Sequence, residues 1–128
     1  MDGCQTGFRQ TSGGTQLCVS GLCDPRMDSV SIRGVELPAL GLGTWPMTGT
    51  QCTNAVTAAL EFGYRHVDTA QMYDNEDAIG AAIADSSVDR DDVFVTTKLL
   101  RENLRRDDAL ASFQRSLERL GTDYVTCC

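Results

Sequence analysis

The chain has 128 residues, 41% of them apolar and 23% charged, the mixture expected of one soluble globular domain. A formal charge of −7 argues against nucleic acid as a partner, because binding phosphates needs clustered Lys and Arg. No apolar run approaches the ~20 residues that cross a bilayer. The one apolar stretch near the start, Leu17 to Cys23, is too short for a signal peptide and is broken by Ser20 and Gly21, so a cytoplasmic location is expected.

Residues 1–26 are rich in Gly, Ser, Thr and Gln without apolar periodicity, and their charges cancel (Asp2 and Asp24 against Arg9 and Arg26). They are expected to be a disordered or non-native extension, with Met27 opening the domain proper, residues 27–128. All of the excess acidity then belongs to that domain. Its acids are mostly Asp, which suggests an acidic proteome adapted to high salt, with compositional drift as the alternative.

From Ser29 the pattern becomes regular. Ser29-Val30-Ser31-Ile32 and Val35-Glu36-Leu37 flank Arg33-Gly34, a β-hairpin signal that Pro38 ends. Ala39 to Gly43 is a short apolar run suited to a buried strand. A helix is predicted from about Gln51, capped by Thr50 and followed by Gly63, with Ala55, Val56, Ala59 and Leu60 as its apolar side. Tyr64 to Thr69 is the next strand. A second helix starts near Asn75: Asp74 or Asn75 is placed to cap its free amides, Glu76 and Asp77 suit its positive end, and Ile79, Ala82 and Ile83 form its stripe. Val93 to Thr97 is a continuous β-favouring run of the kind buried on both faces. Leu110, Phe113, Leu117 and Leu120 mark a third helix between Asp107-Asp108 and Gly121, and Tyr124-Val125 begins another strand.

Strand and helix alternate throughout, which implies a parallel sheet with crossover helices. An open doubly wound sheet would show a phosphate-binding glycine fingerprint, but Gly41-Leu42-Gly43 is followed by Thr44-Trp45-Pro46 and lacks the third glycine. The other architecture is a (β/α)8 TIM barrel, whose chemistry sits at the C-terminal ends of its strands.

Three ionisable residues fall at such ends. Asp68 closes the second strand of the repeat, Tyr73 lies in the loop beyond it, and Lys98 closes the third. An ammonium beside a phenol favours the phenolate, and a carboxylate keeps a buried ammonium charged, so the three together make a proton donor for a developing alkoxide. Taken singly each has a structural reading: a cap, a packing ring, a surface amine. Lys98 resists that reading, since it is the one lysine in a chain that otherwise uses ten arginines for positive charge. Six cysteines show no C-x-x-C spacing, and His66 lacks a ligand partner, so free thiols and no metal are expected.

Gly41-Leu42-Gly43-Thr44-Trp45, Gly63-Tyr64-Arg65-His66-Val67-Asp68-Thr69-Ala70, Tyr73-x-Asn75-Glu76 and Val95-Thr96-Thr97-Lys98 together resemble the aldo-keto reductase family. Ser116-Leu117-x-x-Leu120-Gly121-x-Asp123-Tyr124-Val125 is similar to the family's third helix and fourth strand. The resemblance implies an NADPH-dependent carbonyl reductase, with NADH as the alternative cofactor and a small-molecule aldehyde or ketone as substrate. It implies a barrel whose lower end the hairpin closes. By position, Tyr73 would be the proton donor, Lys98 the residue that acidifies it, and Asp68 the partner of Lys98. Gly43, Thr44 and Asp68 would lie near the cofactor, and Trp45 would line the carbonyl pocket. Asn75 and Glu76 match the family pattern but are expected to cap the second helix.

One departure stands out. The family continues after the fourth strand's start with Asp, a few apolar residues and a catalytic His, whereas Thr126-Cys127-Cys128 occurs here. A complete barrel takes about 250 residues. The expectation is therefore an incomplete barrel: hairpin, about three βα units and the start of a fourth strand, from a truncated or frame-shifted member. The alternative is a non-catalytic fragment or pseudoenzyme that binds a partner through its exposed sheet edge.

Overall fold

The computed structural model describes residues 28–126; the expectation for residues 1–26 and the Cys127-Cys128 ending lie outside them. Strands β1 (Ser29–Ile32) and β2 (Val35–Pro38) pair antiparallel, Ile32 opposite Val35 and Ser29 opposite Pro38. Arg33 and Gly34 both take positive φ, 52° and 82°, as a two-residue turn matched to strand twist requires. The hairpin is bare: Val30, Ile32 and Val35 are each about half exposed.

The second sheet is parallel, in the order β3 (Leu42–Gly43), β4 (His66–Asp68), β5 (Phe94–Thr96). Helix α1 (Gly49–Glu61) joins β3 to β4, and α2 (Glu76–Asp85) joins β4 to β5. Helix α3 (Arg106–Leu120) follows β5 and packs on α2. The result is a run of βα units that does not close into a barrel.

Alternation along the strands assigns the two faces. Val67 and Val95 point toward the helices and join Cys52, Val56, Leu60, Ile79, Ala82, Ile83, Val93 and Leu120 in one core. Gly41, Gly43, His66, Asp68, Phe94 and Thr96 take the other face. Phe94 and Thr96 are only partly buried, so the prediction that this strand is covered on both faces is corrected. On this inner face His66, Asp68, Phe94 and Thr96 are each only partly buried.

Other differences are local. Helix α1 begins two residues before the predicted start, after Thr48 rather than Thr50, and no side chain caps it. Gly121 does terminate α3, with φ 64° and its N–H on the Leu117 and Glu118 carbonyls. The stripe of α3 is as predicted at Leu117 and Leu120, but Leu110 is 60% exposed, and Ser112 and Ser116 are buried on the same side. Tyr124-Val125 forms no strand. The chain meets β5 one residue later, where the Thr126 N–H donates to the Val95 carbonyl at 2.9 Å and the Thr126 hydroxyl accepts the Val95 N–H at 3.2 Å. Among the described residues no helix is long and apolar enough to cross a membrane, and no three His, Cys, Asp or Glu side chains gather to hold a metal ion.

Candidate active site

Strand register brings the predicted residues together. Gly43 lies opposite Asp68, and Asp68 opposite Thr96, so the ends of β3, β4 and β5 are level. Lys98, two residues beyond β5, therefore reaches back to β4. Its Nζ donates to both Asp68 carboxylate oxygens, at 2.8 and 2.6 Å, and to the Thr69 carbonyl at 3.1 Å. Tyr73 ends a short 3-10 turn, Gln71–Tyr73, that returns over the same edge. Its ring centroid is 5.5 Å from the Lys98 Nζ and 5.2 Å from the Trp45 ring, which is tilted 48° to it. An ammonium within ~6 Å of a ring centroid is attracted by the π-system.

The remaining predicted residues lie at the same strand ends. Thr44 is fully buried, its N–H and hydroxyl both donating to the Asp68 carbonyl at 3.1 and 3.0 Å. That double bond set ties β3 to β4 directly behind the carboxylate. Gly43 is exposed, and no atom lies within 4 Å of where a side chain's Cβ would stand. Trp45 is 62% exposed and lies against one side of the Tyr73 ring. On the other side Met72, Tyr73, Lys98, Leu99 and Arg101 border an open cleft of about 550 Å³.

One sequence expectation needs correction. Lys98 is not a buried ammonium: its side chain is 48% exposed and that of Asp68 35%. Solvent screens such a pair, so its attraction contributes little to stability. Its value is geometric, since two hydrogen bonds to one carboxylate leave the amine one favoured position.

Asn75 and Glu76 are also placed differently from the prediction. Neither they nor Asp74 cap α2 with a side chain. Asn75 and Glu76 are 1% exposed and bond across to the strand ends, while Asp74 turns outward to Arg119 at 2.6 Å. Sequence reasoning missed Gln71 as well. Its amide donates to the Ser112 carbonyl and Ser116 hydroxyl, and its oxygen accepts from the Leu100 N–H and Ser112 hydroxyl, so the turn carrying Tyr73 is moored to α3.

His66 lies below Asp68 on the inner face, edge-on to Phe94 with Nε2 3.1 Å from the Thr96 hydroxyl. Burial lowers its pKa; Asp68 opposes this and Lys98 adds to it. A neutral His66 in the folded chain meets a freely protonated one in the unfolded chain. Its contribution is therefore fully present above the unfolded value of about 6.5 and is lost as pH falls below it. Melting temperatures measured from pH 8 to 5 are expected to fall more for the wild type than for His66→Gln. Parallel curves would show that His66 does not couple to folding.

Residues 39–127 match the Aldo/keto reductase family. Methylglyoxal reductase DkgB of Escherichia coli O157:H7 is 49% identical over 91 residues, 71% of this chain and 34% of that protein. The aldo/keto reductase of Brucella melitensis superposes with a TM-score of 0.74 at 42% identity, over 77% of this chain and 39% of that one. A Bombyx mori aldo-keto reductase complexed with NADPH gives 0.72 at 37% identity, over 78% and 34% respectively. The chain thus spans about a third of the length of the curated relatives it matches. A match over more than half of the sequence means that the chain belongs to the aldo/keto reductase family.

Proposed function

We propose that this chain reduces small aldehydes or ketones to alcohols with NADPH, with Asp68, Tyr73 and Lys98 as its proton-donating group. The observation that carries this reading is the two-pronged hold of Asp68 on Lys98 with the Tyr73 ring 5.5 Å from the same Nζ, all at one sheet edge. A carbonyl oxygen lodged against the Tyr73 hydroxyl would receive its proton there. The Lys98 ammonium favours the negative charge left on the phenol oxygen, and Asp68 keeps that ammonium in place. Trp45 gives the substrate an apolar wall.

The cofactor fits this arrangement. A flat ring can lie against Gly43, where no protein atom stands within 4 Å of the missing side chain, with Asp68 beside it. When bound, the nicotinamide supplies the hydride that the carbonyl carbon accepts. NADPH in the silkworm relative favours the phosphorylated dinucleotide over NADH. A reducing compartment would keep the buried Cys52 thiol free, and we place the protein in the cytoplasm.

The half-exposed Lys98 and bare Trp45 favour a second reading, a family member without turnover. Nicotinamide absorbance separates the two. The purified chain is expected to consume NADPH when methylglyoxal or another small aldehyde is added; constant absorbance with every aldehyde in a panel overturns the reductase reading.

A further inference from the structure

The three strand ends that carry the site share a buried support. Thr44, Thr69 and Thr97 are each fully buried, and each adjoins a site residue: Thr44 lies between Gly43 and Trp45, Thr69 follows Asp68, and Thr97 precedes Lys98. All three lead to Asn75 and Glu76. The Thr69 hydroxyl donates to Asn75 Oδ1 at 2.6 Å, and Asn75 Nδ2 donates to the carbonyls of Met47 at 2.8 Å and Thr44 at 3.3 Å. The Thr97 hydroxyl donates to Glu76 Oε1 at 2.7 Å.

We propose that Asn75 and Glu76 are positioning residues, which set the Asp68–Lys98 pair and the Gly43–Trp45 turn relative to Tyr73 through these three buried threonines. The consequence for catalysis rests on the reductase reading; the positioning itself does not. Two partners of Asn75 are carbonyls, which only accept, so its amide has a single workable orientation. Buried polar atoms that lose their partners are costly, and each strand end is therefore confined to the place where its bond is made. Asn75 gauges β3 against β4, and Glu76 fixes the residue before Lys98. Glu76 Oε2 has no hydrogen-bond partner among the described residues, and the nearest paired cation is Arg119, 3.9 Å away. The same Arg119 holds Asp74 at 2.6 Å and Asp77 at 3.1 Å, which ties the start of α2, and with it this support, to α3.

Lys98 is the only lysine, so its side-chain amine can be followed alone. The experiment is the rate at which N-succinimidyl acetate acylates Lys98 in the whole chain, read by mass spectrometry of its peptide. Asp68→Asn sets the rate of a released amine. Thr97→Val, which keeps the shape and deletes the hydroxyl, is expected to raise the wild-type rate about fivefold, the factor equivalent to one net hydrogen bond. Thr97→Ser is expected to restore it, and Thr69→Val to raise it by the second route. In the same variants kcat falls more than KM rises. Wild-type acylation rates in variants that still melt cooperatively overturn the proposal. So does loss of folding in both valine variants, which would make the network a requirement of the core alone. Acylation needs neither NADPH nor turnover, so a protein that consumes no NADPH defeats the reductase reading and leaves this measurement to decide the positioning.

Discussion

Tyr73→Phe is expected to lower kcat for aldehyde reduction by about 10²–10⁴, the usual worth of a positioned general acid. The substitution is clean because the ring contributes all of the observed packing. It lies 5.2 Å from Trp45 and 5.5 Å from the Lys98 Nζ, and phenylalanine keeps both contacts. Only the hydroxyl disappears. The melting temperature and the Kd for NADPH should then stay near wild type, while steady-state kinetics show the loss in kcat rather than KM. If kcat instead stays within about twofold of wild type, Tyr73 is only a wall of the cleft and the proton comes from elsewhere.

The grouping of Asp68, Tyr73 and Lys98 was legible because it depends on strand ends, and strand ends are marked locally. Val67 and Val95 sit mid-strand, and one and three residues after them come the carboxylate and the amine. Parallel pairing in level register does the rest. Burial was less legible. The exposure of Lys98 depends on what covers the inner sheet face, which no feature of the Val93–Thr97 run encodes. The first turn of α3 misled for a related reason. Hydrophobic spacing favoured Leu110, yet Ser112 and Ser116 occupy the buried side, where Gln71 satisfies their hydroxyls and the cost of burying them is met. Asn75 and Glu76 had the composition of a helix start, and capping statistics describe partners within one turn. Their actual partners lie 6 to 31 residues away in the chain, beyond any local pattern.

Gly80→Ala is expected to destabilise the fold more than a single added methyl suggests. Gly80 sits in α2 where α3 crosses it, and a Cβ there would stand 2.5 Å from the Leu120 carbonyl oxygen and 2.7 Å from its carbon. In an exposed helix the same change would stabilise by about 1 kcal/mol, because alanine restricts the unfolded backbone. Here the obstacle is main chain, which cannot swing aside as a side chain would. Relief requires moving the end of α3, where Leu120 is in the core and Gly121 makes the terminating turn. Overpacking of this kind costs about 1–3 kcal/mol, occasionally more. For a domain of about 100 residues each net kcal/mol lowers the melting temperature by about 4–8 °C. A fall of about 10 °C in thermal unfolding followed by circular dichroism is therefore the expected result, and an unchanged or raised value would mean that α3 is free to slide on α2. Because Gln71 holds Ser112 and Ser116 of that helix, a displaced α3 also pulls on the turn that carries Tyr73. Loss of stability and loss of turnover should consequently appear together in Gly80→Ala and separately in Tyr73→Phe.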